Sequence, residues 1–128
     1  MMPYQLVIHT IEEDALHCTC KNAHWIVDGS GVTNVIEESQ ETKHTVNDTY
    51  NSSTIGMGIQ GDNICEKVYL NAVKTAAEIL TRNGWNINRM IQHSDVMNCE
   101  TCKCPNSLVL NWRQFRLDVI EQLRNLSY

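Results

Sequence analysis

In the stretch "MIQHSDVMNCETCKCPN" (90–106), one histidine is followed closely by three cysteines. Imidazole nitrogen and thiolate sulfur are ligands that zinc takes in a tetrahedral array, and a catalytic zinc keeps one of its four positions for water. His93 with at least one thiolate from Cys99, Cys102 and Cys104 would supply part of such a site. The competing chemistry is a disulfide knot, because half of the 6 cysteines fall here. A second histidine, His9, closes the apolar run "YQLVIH" much as His93 closes "MIQH". Open α/β sheets place ligand-binding groups at strand ends. Two histidines at adjacent strand ends and one thiolate from the following loop would give three ligands. Taken alone, His9 reads more simply as a core histidine bonded to backbone.

The elements that must position these residues follow from apolar periodicity. Strands are expected at 4–9, 23–27, 32–36, 54–60 and 90–93, with "DGSG" (28–31) turning a hairpin between the second and third. Gly56 and Gly58 inside "TIGMGIQ" suggest close approach of another group. Residues 45–53 are polar and loop-like. A helix follows, with Asn63 and Glu66 suited to a capping box and Val68, Ala72, Val73, Ala76, Ile79 and Leu80 forming its stripe. Gly84 suits its C-terminal stop. Trp112, Phe115, Val119 and Leu123 mark a last helix. Cys65 reads as a small buried hydrophobe. The order strands, helix, strand, helix argues for an α/β fold: one domain over 1–128, with a central mixed β-sheet flanked by α-helices.

Composition narrows the function classes. The chain has 128 residues, enough for a real core, and a net charge of -5. Its 10 Lys and Arg are scattered, which argues against a nucleic-acid face. No run approaches the roughly 18 apolar residues of a membrane span. The start, "MMPYQLVIHT", lacks a basic region before its apolar run, so no signal peptide is expected and synthesis in the cytoplasm follows. Thiols made there are more often metal ligands or free than disulfide-bonded. The sequons at Asn47, Asn51 and Asn125 are then chance matches.

Four segments together resemble a family. "LVIHT" (6–10), "NAHWIVDGSG" (22–31), "KHTVNDTYNSSTIGMGIQGD" (43–62) and "IQHSDVMNCETCKCPN" (91–106) follow, in order, the landmarks of the zinc N-acetylmuramoyl-L-alanine amidases, which include phage lysozyme-like enzymes and peptidoglycan recognition proteins. The resemblance spans about the whole chain. It implies one catalytic zinc held by His9, His93 and Cys104, and hydrolysis of the bond between N-acetylmuramic acid and L-alanine in peptidoglycan. His44 matches a family histidine near the zinc. The resemblance also implies action on the cell wall, here after release by lysis.

The sequence departs from the family where a helper residue usually stands. The Tyr and Glu positions are Ala23 and Gly58, and neither side chain moves a proton. The usual Lys position is Cys102, with Lys103 beside it. The segment between His9 and His24 is short where a cleft-walling helix is usual. His44 and Lys103 are the candidate substitutes as oxyanion donors, with Tyr50 the weaker choice. His24 reads as a packed, hydrogen-bonded core residue, His17 as exposed, and Asp95 as a group that orients a ligand or its loop. Cys18, Cys20, Cys99 and Cys102 form two close pairs. If His9 and His93 meet, their loops are neighbours and four thiolates suit a closed structural zinc. Disulfides and free thiols are the alternatives.

Three functions remain. An amidase acting on peptidoglycan or muropeptide is favoured by His9, His93 and Cys104. A catalytically impaired module that binds muropeptide or a protein partner is favoured by Ala23 and Gly58. An inhibitory protein–protein contact on the same fold is the third.

Overall fold

The computed structural model describes residues 3–11, 23–42, 48–60, 65–96 and 110–126. Five strands form one sheet: β1 (Gln5–Ile11), β2 (Trp25–Asp28), β3 (Gly31–Asn34), β4 (Thr54–Gln60) and β5 (Met90–Gln92), in the order β3-β2-β4-β1-β5. Among the described residues only the β2–β3 hairpin is antiparallel; β2–β4, β4–β1 and β1–β5 pair in parallel. The α-helices among the described residues are a single turn, α1 (Asp48–Asn51), and two long elements, α2 (Glu66–Arg82) and α3 (Trp112–Leu126). The mixed α/β architecture is the one the periodicity predicts.

Strand residues alternate between the faces of the sheet. Leu6 and Ile8 of β1, Ile55, Met57 and Ile59 of β4, Val27 of β2 and Met90 of β5 share one buried cluster with α2 and α3. The α2 stripe read from the sequence is buried in full, and Phe115 and Val119 of α3 lie against it, with Trp112 and Leu123 partly buried at the margin. Both long helices therefore cover the same face. Tyr69 of α2 donates a hydrogen bond to Asp118 of α3, and Gln114 donates to the other oxygen of that carboxylate at 3.0 Å. The neighbouring carboxylate and burial hold the Tyr69 phenol well above its ordinary range, burial being the larger cause.

The opposite face receives the alternate set: Val7, His9 and Ile11 of β1, Gly58 of β4 and Ile26 of β2. The register pairs His9 with Gly58 and Gly58 with Ile26. A Cβ on Gly58 would lie 2.9 Å from Ile11 Cγ1, closer still to Ile11 Cδ1, and 3.3 Å from Ile26 Cδ1. The close approach anticipated from the strand glycines is thus made at Gly58 by Ile11. Gly58→Ala should lower stability by about 1–2 kcal/mol through overpacking. In an Ile11→Ala background the same change should become neutral or stabilising, because alanine costs less backbone entropy than glycine. Denaturant titration of the four proteins checks this; an equal cost in both backgrounds would reject the packing account.

Several local expectations need correction. The polar stretch before β4 contains the helical turn α1, and Ser53, Ser52 and Thr54 hydroxyls bond back to its carbonyls. β1 runs two residues past His9, so His9 lies inside the strand. β5 ends at Gln92, and His93 opens a 3-10 turn. The N-cap of α2 is Cys65, which makes no side-chain cap bond, so Glu66 is the first helical residue and not the third that a capping box requires. Cys65 is also exposed, not a buried hydrophobe. Asn63 itself lies outside the described residues. The C-terminal end is as expected. Gly84 adopts φ 71°, its N–H bonds the Thr81 carbonyl, and the Trp85 N–H bonds the Leu80 carbonyl at 2.8 Å, the paired bonds of a Schellman stop.

Candidate active site

The parallel register brings the two histidines together. Leu6, Val7 and Ile8 pair with Met90, Ile91 and Gln92, so the next step past the last pair sets His9 beside His93. Neighbouring strands run about 4.8 Å apart. The two rings have centroids 4.3 Å apart and are tilted by 55°. Both residues are 0% exposed, and His9 Nδ1 and His93 Nε2 are buried polar atoms. Burial disfavours the imidazolium, and the His93 pKa falls to about 4. His93 is therefore a neutral ring at physiological pH, the form in which a histidine ligates a metal.

The turn that carries His93 is fixed from within. The Asp95 carboxylate accepts the Gln92 backbone N–H at 3.1 Å, closing the 3-10 turn around the histidine. Asp95 thus orients the loop, in keeping with its reading from sequence. Asp95→Ala should leave the fold in place and speed exchange of the Gln92 amide about fivefold, the effect of losing one hydrogen bond worth roughly 1 kcal/mol. Amide hydrogen exchange checks it; an unchanged rate would show that the turn holds without the carboxylate.

His24 lies elsewhere and does other work. Its Nδ1 accepts the Gly56 N–H at 2.9 Å, and its Nε2 lies 2.6 Å from the Gln40 carbonyl, which fixes the neutral tautomer with the proton on Nε2. Its backbone N–H bonds the Gly56 carbonyl, and its own carbonyl accepts from Val35, Ile36 and the Asn34 amide. The ring extends the β2–β4 ladder by one bond where no backbone carbonyl is used. Burial lowers its pKa, only partly offset by the Gln40 carbonyl and Glu38.

Cys104, His44 and Lys103 lie outside the described residues, as do His17, Cys18, Cys20, Cys99 and Cys102. Among the described residues no group of three or more His, Cys, Asp and Glu gathers to hold a metal. Ala23 is buried and immediately precedes His24. Gly58, the other helper position, faces His9 across β1–β4, and the apolar ends of Ile11 and Ile26 fill the space beside it. Sequence reading missed a cluster at the far edge of the sheet. Glu38 accepts the Trp25 indole N–H at 2.6 Å and is held by both terminal nitrogens of Arg82 at 2.9 and 3.0 Å. These residues are far apart in the chain, and no local spacing signals them.

Comparison with known proteins places the chain. A search of curated proteins finds no match. Among solved structures, the catalytic domain of XlyA superposes with a TM-score of 0.75 at 17% identity, covering 93% of this chain and 87% of that one. A mutant endolysin from Bacillus subtilis gives 0.74 at 18% identity, covering 93% and 86%. The N-acetylmuramoyl-L-alanine amidase LysC from Clostridium intestinale URNW gives 0.70 at 11% identity, covering 91% and 85%. At such identities these likenesses establish the fold. The N-acetylmuramoyl-L-alanine amidase family profile matches residues 2–107, which include His9, the β4 glycines, His93 and Cys104, and on that match this chain belongs to the N-acetylmuramoyl-L-alanine amidase family.

Proposed function

We propose that the protein is a peptidoglycan amidase that hydrolyses the amide bond between N-acetylmuramic acid and L-alanine, with a zinc ion held by His9, His93 and Cys104. The observation that carries the reading is the buried His9–His93 pair in a chain whose family profile is that of the amidases. The donor chemistry fits zinc: two buried imidazoles in contact, one of them held neutral by its surroundings. When bound, zinc would polarise the scissile carbonyl and bring the pKa of an attacking water toward about 7. The chain's own part is to hold the two rings at one register step, to fix the His93 turn through Asp95, and to keep the floor beside His9 apolar through Ile11 and Ile26. His44 and Lys103 are the proposed donors to the developing oxyanion.

Cys18, Cys20, Cys99 and Cys102 are proposed to hold a second, closed zinc. The protein is proposed to reach the wall after release by lysis, and no helix among the described residues is long and apolar enough to cross a membrane. A second reading has one observation in its favour. Gly58 offers no acid beside His9, and Ile11 already occupies the space a side chain there would need. On that reading the chain binds muropeptide without cleaving it.

Metal content decides first. Two zinc equivalents per chain, one stripped by mild chelation, are expected, together with release of stem peptides bearing a new L-alanine amino terminus. Cys104→Ala should remove the labile equivalent, and His44→Ala should cut turnover while sparing it. Muropeptide binding without release of stem peptides, at full zinc, would favour the second reading.

A further inference from the structure

A groove between the β2–β3 hairpin and α2 has the composition of a sugar site. It encloses about 220 Å³. Trp25 and Val32 form one wall; Asn71, Lys74, Glu78 and Arg82 line the other. It lies on the helix-covered face at the β3 edge, whereas the histidine pair sits on the other face between β1 and β5.

We propose that this groove holds an N-acetylated glycan strand, separately from the candidate active site. Sugar rings present an apolar face and a rim of hydroxyl and amide groups. Binding sites for such ligands pair an apolar or aromatic wall with a few fixed polar groups. Trp25 supplies the aromatic wall, and its indole is locked by the bond to Glu38. Arg82 is locked by the same carboxylate and lies with its guanidinium carbon 5.9 Å from the Trp25 ring centroid. Side chains already fixed by one another lose little rotamer freedom when a ligand arrives. Asn71 offers both donor and acceptor, Lys74 donates and Glu78 accepts.

The charge balance chooses between wall polymers. Lys74 and Arg82 are matched by Glu78 and Glu38, so the groove carries no surplus positive charge. The chain as a whole is at -5. An anionic polymer would meet no attracting field here, while a neutral glycan loses nothing by that. The choice of glycan rests on peptidoglycan being the substrate; the groove itself does not depend on the histidine pair.

The test uses the full chain and N-acetylchitotetraose, a peptide-free sugar that has no amide bond to a stem peptide. In a ¹⁵N correlation titration, the Trp25 indole, the Asn71 amide and the backbone of Val32 should shift, saturably. Lys74→Leu, at an exposed helix position, should remove a donor and put an apolar side chain in the groove, weaken that binding by about fivefold or more, and slow cleavage of intact sacculi by a similar factor. Cleavage of a small soluble muropeptide, which does not span to the groove, should be unchanged. No shifts in the groove at millimolar sugar, or equal shifts in the Lys74→Leu protein, would overturn the proposal. If the unaltered chain cleaves neither substrate, the amidase reading fails while the titration still decides the glycan site.

Discussion

On the proposed zinc-amidase reading, His93→Ala is expected to remove the labile zinc equivalent and to lower kcat/KM on muropeptide by about 10³-fold or more, with the secondary structure kept. The magnitude follows from losing several kcal/mol of transition-state charge stabilisation, each 1.36 kcal/mol being a factor of ten. The fold should survive because His93 lies past the last β1–β5 pair, in a turn where the Asp95 carboxylate accepts the Gln92 N–H. His9→Ala should give the same loss of metal and turnover, with a larger cost in stability, since His9 sits inside β1 between β4 and β5 whereas the equally buried His93 lies in a turn. Metal analysis, circular dichroism and single-turnover kinetics on each variant read these effects separately. Full zinc content in His93→Ala would remove that residue from the ligand set.

The second large effect concerns His24 and stability. His24→Leu should destabilise the protein by about 2–4 kcal/mol, because it strips the buried Gly56 N–H of its acceptor and the Gln40 carbonyl of its donor. The same bonds give a pH dependence. Protonation would place an N–H on Nδ1 against the Gly56 N–H, so the folded state resists the proton, and burial lowers the pKa from its ordinary 6.5. Above that value neither state takes up a proton at this ring, and the contribution of His24 is fully present. As pH falls below 6.5 the unfolded chain binds a proton that the folded chain refuses, so stability drops until the folded pKa is passed. Urea midpoints measured from pH 8 to pH 5 should fall in the native protein, and this component of the slope should vanish in His24→Leu. An identical slope in both would mean that other groups carry it.

What the sequence made legible was mostly local periodicity. The α2 stripe is written at helical spacing, and every residue assigned to it is buried. The β2–β3 hairpin is announced by Asp28, Ser30 and Gly31, where the Asp28 carboxylate accepts both the N–H and the hydroxyl of Ser30 and Gly31 takes φ 131°. The juxtaposition of His9 and His93 was inferred from two strand ends, but the register that sets them side by side comes from pairing across the sheet. Four polar residues at Asp48–Asn51 make too short a helix to show a period. The missing capping box reflects a similar limit: a plausible spacing at Asn63 and Glu66 does not say where the first helical residue falls. The Trp25–Glu38–Arg82 cluster depends on tertiary packing alone. Cys18, Cys20, Cys99, Cys102 and His44 all lie outside the described residues, and nothing in the local periodicity says which of them meet.

The β1–β5 pairing also has a kinetic consequence. Its partners lie roughly 80 residues apart in sequence, and parallel pairing of that span must close a large loop before any contact rewards it. Docking of β5 therefore belongs to the late, slow part of folding, and the two imidazoles do not meet before it. A chain emerging from synthesis presents β1, β2 and β4 well ahead of β5, so the contact between the two rings is among the last that the sheet can make.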